Sequence, residues 1–352
     1  MAVRYIGSKA RLVGAIARFI GKPRAHSKAF VEPFCGTGVV AEEAARLGWS
    51  VRLNDHLHSA VTISEARITC ADEVRFAFLG GYESTLAQLN ALPGRRGFVW
   101  REYSPASACE VGVGRMYFTE DNAAKIDSIR ARIARWARSK TINRKEECVL
   151  LADLLLATNC VANIAGTYGC FLSHWTAQAR EPLKLTRRTF FNRRVRHEVF
   201  VGDAADVSVA PEDLVYLDPP YTKRQYAAYY HILETIALGD RPCVGGITGL
   251  RPWREKASDF CYRTRALRAL RALIERMPAQ RILLSYSSEG HVPLDPLCEE
   301  LSSVGSVEVH RLMDVGRYRP NRAASDAAAA VSEYLLCIER KAAATPRRAA
   351  FA

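Results

Sequence analysis

The sequence predicts an α/β protein built on a mostly parallel sheet flanked by helices, interrupted by a long basic insertion. Two patterns carry that expectation. Near the N-terminus an apolar run, a Gly-containing turn, an Ala/Glu-rich helical stretch and a second apolar run follow one another within residues 30–53. That is a βαβ unit, and such units imply a parallel sheet covered by helices. After residue 198 strand-like runs return, separated by helical pattern.

In chain order, Phe30-Val31 predicts a first strand, Val39 to Leu47 a helix, Gly48 its C-cap and Val51-Arg52-Leu53 a second strand. These belong to a first block, residues 1–75. The middle block, 76–198, reads as largely helical. Thr119 is placed to cap a helix over 121–140, where Arg130, Arg132, Arg135 and Arg138 surround Ile126, Ile129, Ile133 and Trp136. Cys148 to Ala165 is apolar but broken by Asp153, Asn159 and Asn163, and reads as a buried helix. The block closes on a cationic run, Arg187-Arg188, Arg193-Arg194 and Arg196. Either element alone is a solvated face. Together, inside an interrupted catalytic domain, they predict a DNA-contacting insertion. The last block, 199–340, holds Val199-Phe200-Val201, Leu214 to Leu217, Arg281 to Ser285 and Tyr334 to Ile338 as strands. Residues 341–352, rich in Ala and Arg, read as a disordered tail.

The chain has 352 residues and a formal charge of +13 with 49% hydrophobic residues, a globular composition with a strong pull on polyanions. Charge alone does not select the nucleic acid. Ten cysteines are scattered without a Cys-x-x-Cys pair, so reduced thiols are expected and no zinc. No apolar run approaches ~20 residues and no signal-type segment opens the chain, so a soluble, cytoplasmic protein is expected.

Phe34-Cys35-Gly36-Thr37-Gly38 turns from strand to helix, the geometry by which a backbone approaches a ligand closely. A third glycine would complete a dinucleotide fingerprint, but Ala41 stands there. Asn54-Asp55 ends the next strand, where a carboxylate meets ribose hydroxyls. These features indicate an adenosine-containing ligand, either a dinucleotide or S-adenosylmethionine. Leu217-Asp218-Pro219-Pro220-Tyr221 decides for the latter. Two prolines remove backbone donors and leave carbonyls as acceptors. Asp218 adds a carboxylate and Tyr221 a flat ring, which together receive an amino group on a planar base. Acceptors on both N–H groups localise the nitrogen lone pair and stabilise the positive charge that develops during methyl transfer.

Val31 to Gly38 and Asp218 to Tyr221 resemble the cofactor and catalytic motifs of the Dam-type DNA adenine methylases, and Arg4 to Lys9 resembles that family's N-terminal segment. The resemblance is closest to type IIS modification methylases of the FokI kind. It extends through Gly166 to Gly169, Lys223 to Tyr226, Tyr230-His231 with Leu233 to Ile236, and Ser285 to Gly290, covering most of residues 3–340. It implies a class I S-adenosylmethionine-dependent methyltransferase core (Rossmann-like), with a seven-stranded sheet and an antiparallel edge. Residues 76–198 would be the inserted target-recognition region. It also implies that Tyr5 packs on the cofactor and Lys9 holds its carboxylate. Glu32, Phe34, Gly36 and Gly38 would line its methionine end, Asp55 its ribose and Asp203 its adenine. Asp218, Pro219, Pro220 and Tyr221 would form the target pocket, with Asp218 also facing the cofactor.

The implied activity is site-specific adenine-N6 methylation of double-stranded DNA within a restriction-modification system, beside a cognate restriction endonuclease. FokI-kind enzymes fuse two catalytic halves and this sequence holds one, which implies single-strand modification or a companion methylase. Lys223, Arg224, Gln225 and Tyr226 follow the pocket and are expected to meet DNA, since the target base must be extruded. Arg251, Trp253, Arg254 and Lys256, and later Arg317, Arg319 and Arg322, are expected on phosphates. The alternatives are an RNA base-amine methyltransferase and an inactive methylase-fold DNA-binding protein.

Overall fold

The computed structural model describes residues 5–315 and 331–340. Arg4, Arg317, Arg319, Arg322 and the 341–352 tail lie outside the described residues. Within them the chain forms helices α1 (Val13–Ile20), α2 (Val39–Leu47), α3 (His58–Ile68), α4 (Tyr82–Asn90), α5 (Phe98–Tyr103), α6 (Glu120–Arg138), α7 (Arg144–Val161), α8 (His231–Leu238), α9 (Ala266–Arg276) and α10 (Leu294–Ser302). The strands are β1 (Phe30–Glu32), β2 (Val51–Asp55), β3 (His197–Val201), β4 (Leu214–Leu217), β5 (Arg281–Ser287), β6 (Gly305–Val315) and β7 (Val331–Arg340).

The strands make one seven-stranded sheet in the order β3-β2-β1-β4-β5-β7-β6. From β3 to β5 every pairing is parallel, and β7 runs antiparallel to both β5 and β6. This is the mostly parallel class I arrangement with an antiparallel edge. β1 and β4 are buried along their whole length, as central parallel strands covered on both faces must be. Alternation then sorts their side chains. Phe30, Leu214, Tyr216 and Leu283 join α1 and α2 on one face, while Val31, Val215, Leu217 and Leu284 join α9 and α10 on the other.

β1 and β2 start a chain reversal in which strand order changes direction between β1 and β4. Carboxyl ends of strands on either side of such a switch point leave a crevice, and it is there that the polar residues singled out above collect.

The insertion is helical and does not stand apart. Its α6 and α7 bury Ile126, Ile129, Ile133, Val149, Leu150 and Leu154 in a core shared with α3 and α8. Each such side chain contributes roughly 1.5–3 kcal/mol by leaving water. Thr119 caps α6, its hydroxyl accepting from the Asn122 amide. Part of the basic face belongs to the scaffold. Arg130 donates to the carbonyls of Ile236, Ala237 and Leu238, closing the C-terminus of α8. Arg188 pairs at 2.7 Å with buried Asp153, and Arg193 reaches the last carbonyls of α2. Arg135, Arg138, Arg194 and Arg196 stay exposed.

Candidate active site

β1 delivers Glu32, Pro33 and Phe34 to the crevice, and the turn behind them is fixed from β2 and α3. Asp55, at the end of β2, accepts from the Gly36 amide at 3.0 Å and from the Leu57 amide at 3.0 Å. The Ser64 hydroxyl donates to the Gly36 carbonyl at 3.0 Å. Gly38 opens α2 at φ +72°, and a Cβ there would lie 2.8 Å from Ser64. Only glycine accommodates both constraints.

The crevice is a cavity of about 310 Å³. Tyr5, Lys9, Glu32, Phe34, Gly36, Asp55, Asp203 and Asp218 all line it. Gly38 lies behind the wall, against Ser64. Tyr5 is stacked on Tyr230 with ring centroids 4.3 Å apart.

Asp218 ends β4 with 17% of its side chain exposed, and Lys9 Nζ lies 2.9 Å from its Oδ1. Lys9 is only 4% exposed and also approaches the Tyr221 hydroxyl at 3.3 Å. Lys9, set against a cofactor carboxylate by the resemblance, is thus paired with Asp218, because the N-terminal segment passes beside the β4 corner. Tyr221 does not line the cavity itself. Its ring lies one layer away, between Lys9 and Tyr286.

Burial sets the electrostatics. It raises Asp218 above the ordinary carboxylate range, while the Lys9 ammonium opposes that rise. Lys9 would be lowered by burial, but Asp218 overrides this and lifts it well above its usual value. Burial, then the neighbouring Asp218, pushes Glu32 well up, and burial brings Asp55 to about 6. Glu32 Oε2 is buried without a hydrogen-bond partner. The cavity is lined by five carboxyl groups (Glu32, Asp55, Asp203, Asp218 and Asp259) and three cations (Lys9, Lys256 and Arg276). With Lys9 paired to Asp218 and Lys256 to Glu234, the balance favours a ligand that brings positive charge.

A strap over residues 253–262, absent from the sequence-level expectation as a wall, covers one side. Ala257, Ser258 and Phe260 line the cavity, and Phe260 stands edge-on to Phe34 with centroids 5.6 Å apart. Three aromatics in an otherwise polar loop, Trp253, Phe260 and Tyr262, were its sequence signal. The strap explains where several expected DNA contacts went. Gln225 is buried, accepting from the Ser258 amide at 2.9 Å and donating to the Ser258 carbonyl at 3.1 Å. Tyr226 lines the cavity and donates to the Ile6 carbonyl at 3.0 Å. Lys256 donates to Glu234 and to the His56 carbonyl, and Arg251 forms a two-pronged pair with Asp240. Sequence spacing sets Gln225, Tyr226, Arg251 and Lys256 against DNA, and long-range partners turn them inward instead. Trp253 packs on the insertion's core. Lys223, Arg224 and Arg254 are exposed.

Residues 5–291 match the family described as D12 class N6 adenine-specific DNA methyltransferase. The chain is 35% identical over 352 residues to the type II methyltransferase M.FokI of Planomicrobium okeanokoites, covering 97% of this chain and 53% of that protein. It is 32% identical to the modification methylase StsI of Streptococcus sanguinis, over 88% of this chain and 48% of that one. The type II methyltransferase M.NlaIII of Neisseria lactamica is 32% identical, over 87% of this chain and 90% of its own. The chain therefore spans about half the length of the first two relatives and nearly all of the third.

Proposed function

The chain belongs to the family of D12 class N6 adenine-specific DNA methyltransferases, and we propose that it methylates the exocyclic amine of an adenine flipped out of double-stranded DNA, with S-adenosylmethionine as donor. The observation that carries this reading is the half-buried Asp218 at the end of β4, held by Lys9 at 2.9 Å beside the cavity.

The residues fit that donor. When bound, S-adenosylmethionine supplies an electrophilic methyl group on a sulfonium centre. The unpartnered Glu32 Oε2 and the raised carboxyls of Asp55 and Asp218 suit a ligand carrying cationic groups. Tyr5 and Phe34 offer apolar surface to it, Asp55 an acceptor for ribose hydroxyls, and Asp203 an acceptor at the adenine end.

Asp218 and the Pro219 carbonyl accept the two amine hydrogens of the target base, and Tyr221 supports it. This draws the lone pair onto nitrogen and favours the charge that appears only in the transition state. Lys9 keeps the Asp218 carboxylate ionised and aimed. The surplus proton leaves after transfer, so no base is needed beforehand.

Residues 76–198 are proposed as the recognition region, with Lys223, Arg224 and Arg254 on DNA. A restriction endonuclease and a companion methylase for the opposite strand are proposed partners. Among the described residues no helix is long and apolar enough to cross a membrane. The ten free thiols suit the cytoplasm.

The test is incubation with labelled S-adenosylmethionine and either unmethylated DNA or total RNA, followed by nucleoside analysis. Label in N6-methyladenine from DNA, lost in Asp218→Ala, supports the reading. Label in RNA alone would overturn the DNA assignment, and label in neither would favour an inactive binding protein.

A further inference from the structure

Residues 240–251 form a closed loop after α8, locked in three ways. At its base Asp240 and Arg251 pair at 2.7 Å, and Arg251 also donates to the Thr235 hydroxyl at 3.0 Å. Midway, Gly245 and Leu250 exchange backbone hydrogen bonds at 3.0 and 2.9 Å. At the tip, Gly246-Ile247-Thr248-Gly249, the turn runs through positive φ at both glycines.

The third lock comes from the insertion. Arg115, 1% exposed, donates to the carbonyls of Gly246 at 3.1 Å and Ile247 at 3.2 Å, and pairs with Glu102 at 2.9 Å. The Tyr117 hydroxyl lies 3.1 Å from the Thr248 carbonyl. Arg115 therefore holds two consecutive carbonyls of the tip, and Tyr117 lies against the third. Ile247 itself is 68% exposed. A single exposed aliphatic residue needs no explanation. An aliphatic side chain with few rotamers on a backbone this firmly held is different, because it presents a stiff apolar point to solvent.

Polar contacts run from the tip toward the cavity, with the single Tyr117 hydroxyl proton shared between two carbonyl acceptors. The same Tyr117 hydroxyl lies 2.9 Å from the Tyr168 carbonyl, and the Tyr168 amide donates to Tyr229 at 2.9 Å. Tyr226–Tyr229 is the helical turn that follows the Asp218–Tyr221 corner, and Tyr226 lines the cavity.

We propose that Ile247 is a wedge that enters the DNA base stack beside the target adenine and fills the space the flipped base leaves. The proposal rests on the DNA-methylating function above. Extruding a base breaks stacking and pairing, and an apolar side chain inserted into the stack offsets part of that loss without reading sequence. The supports Arg115 and Tyr117 hold the tip, and Tyr168 beside Tyr117 is bonded to the turn that carries cavity-lining Tyr226, which ties the wedge to the pocket.

The test uses a duplex containing the site that the wild-type protein methylates, with a fluorescent adenine analogue at the target in a parallel sample. Ile247→Ala is expected to lower kcat/KM on paired DNA by about 10–100-fold and to reduce the flipping signal. S-adenosylmethionine binding is expected to stay at the wild-type value. Placing the target opposite an abasic site removes the pairing cost and is expected to restore the variant to within about threefold of wild type. Wild-type rates from Ile247→Ala on paired DNA, or a defect the abasic partner does not relieve, would overturn the wedge and leave the methylase standing. A wild-type protein that labels no DNA overturns both.

Discussion

Lys9 Nζ lies 2.9 Å from Asp218 Oδ1, tying the segment before α1 to the end of β4. The pair is mostly withdrawn from water, so it is sensitive to the loss of either partner. Removing one member of such a pair costs about 3–5 kcal/mol through the charge left behind.

Replacing Lys9 by methionine is expected to act first on the pH profile. In the proposed mechanism Asp218 accepts amine hydrogens as a carboxylate, so the rate is expected to fall as pH drops through its pKa. Burial already raises that pKa and Lys9 opposes the rise. Lys9→Met therefore moves the acidic limb of kcat to higher pH and lowers kcat by on the order of 10²-fold, the size of losing one preorganised charge contact. In an Asp218→Asn background the same change is expected to add little. A full, additive loss there would mean that Lys9 acts elsewhere, for instance on the cofactor carboxylate.

How much of this was legible depends on distance along the chain. Val39–Leu47, its Gly48 end, the Thr119 cap and Leu214–Leu217 follow from patterns within one turn or one pleat, and they appear where spacing sets them. The cavity-lining set was legible too, because motifs at strand ends converge once the sheet is parallel. β6 was missed: Ser306, Glu308 and His310 alternate along an edge strand that has a neighbour on one side only. The inward turns of Gln225, Arg251 and Lys256 were illegible for another reason. A cation or amide in a Gly/Pro-containing stretch reads the same whether it meets solvent or a partner brought near by tertiary folding.

Glu234 supplies a prediction about stability. From α8 its carboxylate accepts from the amides of His58 and Ser59 at the start of α3, and from Lys256 at 3.0 Å. Burial alone would raise its pKa, but the His58 imidazole at 3.1 Å, the Ser59 amide and Lys256 hold it at about 2 against an ordinary 4.5. A depressed carboxyl contributes stability that is present above the unfolded value and is lost as pH falls toward the folded one. Glu234→Gln is expected to destabilise the protein by about 3 kcal/mol at pH 7. Urea midpoints of the two proteins should then draw together progressively from about pH 5 down through pH 2. A gap that stays constant over that range would remove the ionic account.

Gly38 and Gly14 make an internal comparison. An alanine at Gly38 faces φ +72° and a 2.8 Å approach to Ser64, whereas a Cβ at Gly14, inside α1, meets nothing within 4 Å. Gly38→Ala is expected to cost about 2–4 kcal/mol from backbone strain and overpacking together. Gly14→Ala is expected to stabilise by about 0.5–1 kcal/mol, since alanine favours the helix. Thermal unfolding of both variants reads the two signs directly, and matching signs would refute the packing described at the turn.

Gln225 separates two readings of the loop after the Asp218 corner. Its amide both donates to and accepts from the Ser258 backbone, fastening the strap whose Ser258 and Phe260 line the cavity. A residue that holds a wall acts on what the wall encloses. Gln225→Ala is therefore expected to raise the KM for S-adenosylmethionine by about tenfold, as for one hydrogen-bonded contact of about 1.4 kcal/mol, with kcat changed less. Gln225→Glu keeps an acceptor for the Ser258 amide but loses the donor to its carbonyl, and should fall between alanine and wild type. The KM for DNA is expected to stay near the wild-type value in both. Were the DNA term to rise while the cofactor term held, Gln225 would be contacting the duplex, as its place beside the exposed Lys223 and Arg224 suggests from sequence alone.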